Sequence, residues 1–174
     1  MSVLDALDGG DAGPRATTYS QYVAWLGGAL AIVLVAPGTN VALPVVATGS
    51  ILLGVAANRG DRTWLTRGYA VAIVGALLYG AIGGPPIPTV GSVLAVTVAW
   101  DAAENGIGLA EQLGHEATTE RAELVHATAV TAIGAVAGGA ALAVSYVFAN
   151  NQPRPALVLL LFATVLVLAS LRRG

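Results

Sequence analysis

The chain is a succession of apolar runs of similar length, separated by short stretches of turn formers and charge. The runs cover 19–36, 41–57, 65–83, 87–104, 124–149 and 156–171. A helix crosses the hydrocarbon layer with about 20 mostly apolar residues, about 17 at the lower limit. In lipid every backbone N–H and C=O must be satisfied inside its own segment, which leaves helices and closed barrels as the spanning structures. Runs of this length therefore predict transmembrane helices. The connectors agree: Pro37-Gly38-Thr39-Asn40, residues 58–64, Gly84-Pro85-Pro86 and residues 150–155 are rich in turn formers or charge. The expected fold is all-α, a polytopic transmembrane helical bundle of about six spans. Because some runs are short and closely spaced, four or five spans with a re-entrant segment also fit the pattern.

Composition supports a membrane protein. Hydrophobic residues make up 56% of the chain and charged ones 10%, with a mean hydropathy of +0.75, whereas about a quarter of a soluble protein is charged. The absence of cysteine excludes disulfides, thiolate metal sites and thiol nucleophiles. A net charge of −2, with scattered arginines and no lysine, offers phosphates no basic stripe, so nucleic acid is excluded as a partner. Residues 1–18 contain Asp5, Asp8 and Asp11 among glycines and Pro14, a composition too polar to order itself. They are expected to form a flexible acidic tail before a single transmembrane domain, 19–174. The flank of the first run is acidic rather than positive, so that run is expected to be a retained anchor and not a cleaved signal. Positively charged short loops stay in the cytoplasm. With six spans and both termini cytoplasmic, Arg15, Arg59, Arg62, Arg67, Arg121, Arg172 and Arg173 fall inside and Arg154 alone falls outside.

One hydrophilic island, residues 100–126, interrupts this pattern. It holds six of the ten acidic residues and both histidines, so any chemistry, gating or docking is expected there. Counted from Pro88 at about 1.5 Å per residue, Asp101 and Glu104 lie roughly 20 and 24 Å along their span. An acid at mid-membrane costs about 2.5 to 3.5 kcal/mol, and each Val or Leu returns only about 0.3 to 0.6. Both acids must reach the headgroups or face a polar seam inside the bundle. On a helix Asp101, Glu104, Gly108, Glu111 and His115 share one face. Gly114 reads as a helix stop and Thr118 or Thr119 as the next N-cap, with Glu120 and Glu123 in the first turn. The result is a polar helical hairpin at the cytoplasmic face. Folded near residue 117, it brings Glu111 opposite Glu123 and Gly108 opposite His126, with Arg121 and His115 by the turn.

Several chemistries are compatible with this cluster. Glu111 and His115 at i,i+4, with Glu123 and His126 at i,i+3, have metal-ligand spacing, but helical di-iron sites take two Glu-x-x-His copies and one is present. His115-Glu116 opens like a zincin motif, yet Thr119 stands where the second histidine must be. No Gly-x-Ser-x-Gly elbow exists, and Ser92 and Ser145 lie in apolar runs. What remains is a solvated, internally paired hairpin whose acidic surface suits a basic partner, with Arg121 paired to neighbouring acids. Asp101 is the residue least explained by solvation, and with Glu104 it defines the alternative of a proton or cation relay. Elsewhere, Gly134 and Gly138 have the spacing of a helix-packing face. Trp25, Trp64, Trp100, Tyr19, Tyr22 and Tyr146 fall near span ends, as interfacial anchors do.

The island's wording also supports a family resemblance. Trp100-Asp101, Glu104, Gly108-Leu109-Ala110-Glu111-Gln112-Leu113-Gly114, Glu116-Ala117 and Arg121-Ala122-Glu123-Leu124-Val125-His126-Ala127 resemble an uncharacterised group of small haloarchaeal multi-span membrane proteins. Their genes tend to accompany a MoxR-type AAA ATPase, a von Willebrand-type domain protein and a transglutaminase-like membrane protein. The resemblance covers most of the chain in layout and is specific between Trp100 and Ala127. It implies an archaeal plasma membrane, a high-salt cytoplasm and membership of a membrane assembly with the ATPase or the transglutaminase-like protein, and it carries no activity. At such salt the Debye length is about 3 Å or less, so docking would rest on close pairing and apolar contact. The expectation is a non-enzymatic accessory or scaffold subunit without a cofactor, docking through residues 104–126. The alternative is a small transporter or proton/cation pathway using Asp101 and Glu104.

Overall fold

The computed structural model describes residues 16–38, 41–113, 120–148 and 165. Among these, five helices are long and apolar enough to cross a membrane. They are α1 (Thr18–Val35), α2 (Ala42–Arg59), α3 (Arg62–Ala81), α4 (Pro86–Leu113) and α5 (Glu120–Phe148). The expected run at 156–171 lies outside the described residues, apart from the single helical residue Val165. Three boundaries differ clearly from hydropathy alone, the fifth helix starting at Glu120 rather than near 124. The third span begins at Arg62, because Asp61 caps it, and the fourth runs on through the island to Leu113. At about 1.5 Å per residue, α4 is roughly 42 Å long, well beyond the hydrocarbon thickness of about 30 Å.

Local chemistry sets the helix ends. Thr17 caps α1, its Oγ1 accepting the Ser20 N–H at 3.3 Å, and a 3₁₀ turn over Ala36–Gly38 closes it. The acidic tail therefore ends earlier than residue 18: Ala16 is buried, and its carbonyl accepts from the Gln21 side chain at 2.6 Å. Between α2 and α3 the chain reverses in two residues. Gly60 has φ 70°, the left-handed region where a Cβ is costly, and Asp61 Oδ1 accepts the N–H groups of Thr63 and Trp64 at 3.0 Å each. Pro86 opens α4, where a missing N–H costs nothing.

So short a turn forces α2 and α3 into antiparallel contact, and glycines make the contact close. A Cβ on Gly68 would lie 2.6 Å from Leu53 N, and one on Gly75 2.7 Å from Val46 N. Gly27 of α1 likewise faces Ala95 and Ala99 of α4. Around these approaches Leu53, Leu65, Ala72, Tyr79, Val96, Ala99 and Ile107 form the buried core. α5 is peripheral: among its described side chains only Glu123 is buried. Gly134 and Gly138 form the notches through which α5 touches α4, receiving Leu94 and Val90 respectively. The up-and-down order brings the start of α1, end of α2, start of α3, end of α4 and start of α5 to one end of the bundle.

Candidate functional site

That shared end collects nearly all the described charge. From 68 to 100 and from 127 to 148 the chain has no Asp, Glu, His, Lys or Arg, and none lies between 16 and 58. The polar groups form three interhelical links. Arg62, at the start of α3, pairs through Nη1 with Glu104 and through Nη2 with Glu111 Oε2 at 2.8 Å, so one guanidinium ties α3 to two turns of α4. One turn deeper, His126 Nε2 lies 2.7 Å from Asp101 Oδ2, joining α5 to α4. Glu123, only 3% exposed, accepts hydrogen bonds from the hydroxyls of Thr17 and of Ser20, the latter at 2.7 Å, and so joins α5 to the first turn of α1.

Glycine makes the last link possible. Gly106 of α4 lies directly against Ser20 and Thr17, where a side chain would collide with the Ser20 Cβ at 2.5 Å. The three links together form a clasp, and beneath it Trp100 turns inward and stacks on Tyr69, with ring centroids 4.6 Å apart. Trp100 is thus a packing residue, whereas Trp25 and Trp64 remain on the outer surface, as interfacial anchors do. The Trp25 ring lies over Gly54, and its Nε1 donates to Asn58 Oδ1 at 3.4 Å.

The island residues are brought together, but not in the register the hairpin reading expects. His126 meets Asp101 rather than Gly108, and Glu111 turns to Arg62 rather than to Glu123. The pairings 101 with 126, 94 with 134 and 90 with 138 slide α5 along α4 by about two helical turns from the register drawn about residue 117. The turn itself, with Gly114, His115, Thr118 and Thr119, lies outside the described residues. Arg121 is exposed and makes no ion pair among the described residues, while the pairing cation is Arg62. Each of the five acids whose side chains are described, Asp61, Asp101, Glu104, Glu111 and Glu123, is engaged by the protein. Glu116 and the side chain of Glu120, which belong to the expected acidic surface, lie outside the described residues. The exposed charges at this end include Arg59, Arg67 and Arg121, with the partly exposed Arg62–Glu111 pair.

Arg62, Thr17 and Ser20 were missing from the sequence-derived site. The signals were slight: an arginine directly after a capping Asp61, and two hydroxyls spaced i,i+3 at the mouth of the first span. Among the described residues no group of three His, Asp or Glu is placed to hold a metal ion.

A family model described as a family of unknown function, DUF7519, matches residues 14–168. The chain belongs to this family. No curated protein and no solved structure matches the DUF7519 chain. Its chemistry must be judged from the clasp itself. The clasp residues are donors and acceptors already satisfied by one another, and buried groups so paired fix helices against each other.

Proposed function

We propose that this membrane protein is a non-enzymatic accessory or scaffold subunit of a membrane assembly, docking its partner through the tip of the α4–α5 pair. One observation carries the proposal. α4 continues past Gly106, the residue level with Thr17 and Ser20, to Leu113. At about 1.5 Å per residue this extension is about 10 Å. It presents exposed Glu111 and Gln112, and exposed Arg121 opens the neighbouring helix. The clasp below holds the extension in a fixed orientation, as a preorganised binding surface requires.

The topology proposed with it is six spans in a plasma membrane, both termini cytoplasmic, with 156–171 as the sixth. Arg59, Arg62, Arg67 and Arg121 all belong to the clasp end, and the positive-inside rule makes that end cytoplasmic. The partner class is the one implied by the resemblance of the island, a MoxR-type AAA ATPase or a transglutaminase-like membrane protein of a haloarchaeal cell. The alternative, a proton or cation pathway through Asp101 and Glu104, draws no comparable support. Such a pathway needs carrier groups across the apolar layer, and the described helices have no acid or histidine beyond Asp101 and His126.

The test is affinity purification from native membranes at native salt, with mass spectrometry of co-purifying proteins. A stoichiometric partner, lost from a Gln112→Ala/Arg121→Glu variant that still inserts, is the expected result. An unchanged partner set in that variant would exclude the tip as the docking site. A protein that purifies alone, and that drives a proton flux in vesicles abolished by Asp101→Asn, would replace the scaffold with the pathway.

A further inference from the structure

Arg67 lies about as deep as Asp101, since Tyr69 stacks on Trp100, and differs from Asp101 in facing outward with no acid paired to it among the described residues. The α2–α3 register, with Gly68 against Leu53, puts Arg67 level with Gly54, over which the Trp25 ring lies. Fourteen residues separate it from Ala81, the end of α3, or about 21 Å of helix. This falls short of the hydrocarbon thickness of about 30 Å. An exposed arginine at this depth lies where acyl chains would otherwise be. In a helix the side chain leans toward the N-terminus, and here the Arg67 guanidinium rests over the Trp64 ring, 4.9 Å from its centroid. Both residues are exposed on the outer surface.

The charge needs a counter-ion. The five described acids are committed elsewhere, Asp61 to the α3 N-terminus and the other four to the clasp. At the edge of a bilayer, the abundant anion with a geometry that suits guanidinium is a lipid phosphodiester. An indole beneath the guanidinium holds the fork in place through its π-face and prefers the same interfacial depth. We propose that Arg67 and Trp64 form a binding site for the phosphate of an anionic phospholipid. The bound headgroup lies deeper than its neighbours and thins the bilayer along α3, which matches the short apolar stretch below Arg67. The inference is independent of the docking function, because it concerns the outer face of α3 rather than the α4–α5 tip.

The test uses the full chain purified in mild detergent and titrated with phosphatidylglycerol, with bound lipid counted by native mass spectrometry. Wild type is expected to retain one lipid that Arg67→Gln binds about tenfold more weakly, the size of one charge-assisted contact. Arg67→Lys should fall between them, since a point charge cannot form the planar fork. Arg121→Gln, on α5, should bind as wild type does, and phosphatidylcholine should be retained less. Equal retention by Arg67→Gln, or an equal loss in Arg121→Gln, overturns the site. Competition by millimolar inorganic phosphate would make it a free-anion site and overturn the lipid assignment. If Arg67→Gln fails to fold, Trp64→Leu serves instead, with the same outcomes read against wild type.

Discussion

The α2–α3 seam and the α4–α5 seam both place glycines at the contact and hold their helices by different physics. In α2–α3 the glycines admit backbone: Gly49 faces the Ala72 Cα at 2.6 Å from where its Cβ would be, and Gly68 faces Leu53 N at the same distance. In α4–α5 the glycines admit side-chain ends, Leu94 at Gly134 and Val90 at Gly138, and Gly139 faces open space. The helix interaction there is completed by the polar contact of Asp101 with His126, while Glu123 ties α5 to α1. Lipid supplies no hydrophobic drive between helices, so close packing and hydrogen bonds are what remains. The first seam uses packing and the second adds a polar link at one end. That difference ranks the effects of substitution.

The largest effect is expected where the obstacle is rigid. Gly68→Leu must displace α2 backbone and should destabilise the protein by about 3 kcal/mol or more, read as loss of folded protein in a detergent unfolding titration. Gly139→Leu, with nothing near its Cβ, should stay within about 0.5 kcal/mol. Equal losses at the two positions would remove the distinction between the seams.

Second is Glu123. Replacing it with Ala leaves the hydroxyls of Thr17 and Ser20 without their acceptor and should cost about 1 to 3 kcal/mol. A Glu123→Ala/Ser20→Ala double variant, with Thr17 kept because it caps α1, should recover part of that loss, since buried partners removed together are less costly than one removed alone. Faster hydrogen exchange at the first turn of α1 is the local readout. If only α5 loosens, the link to α1 is not what holds it.

The two seams were not equally legible in the sequence. Spans α1 to α3 and the apolar stretches of α4 and α5 follow from hydropathy, because hydrocarbon thickness fixes their length. The glycine pairs could be noted but not assigned, since spacing says nothing of which neighbour fills the notch. The island was legible as a location and not as a set of pairings. Its partners come from 42 residues away for Arg62 with Glu104, and from 106 for Thr17 with Glu123. A local reading pairs the island with itself and gives Arg121 the role that Arg62 holds. Gly106, which opens the approach of α1, looked like one glycine among the 22 in the chain.

Third is the Asp101–His126 pair. Its side chains are 20% and 42% exposed, so water screens it and the pair counts for less than a fully buried one. His126→Leu should cost about 1 kcal/mol, and Asp101→Asn/His126→Leu no more than that. A double-mutant cycle in the same unfolding assay gives the coupling. A coupling near zero would leave Gly134 and Gly138 as the whole of the α4–α5 seam.

The smallest effect is expected at the outer edge of the clasp. Arg62 holds both Glu104 and Glu111, but the two acids are not equivalent: Glu104 is 19% exposed and Glu111 is 45% exposed. Exposed pairs contribute little, about 0.2 to 1 kcal/mol, and fade with salt. Glu111→Gln should therefore lower stability by less than about 0.5 kcal/mol, and by less still at high ionic strength, because Arg62 keeps Glu104. Glu104→Gln should cost more and depend less on salt. The contrast separates the two duties of α4, since a residue that anchors the bundle cannot be given up to a partner without loss of stability. If Glu111→Gln destabilises as much as Glu104→Gln, the clasp extends to the end of α4 and the tip is not free to dock. If Glu111→Gln leaves stability unchanged and weakens partner recovery, the boundary between the part that holds and the part that binds runs between these two acids, about two turns apart on one helix.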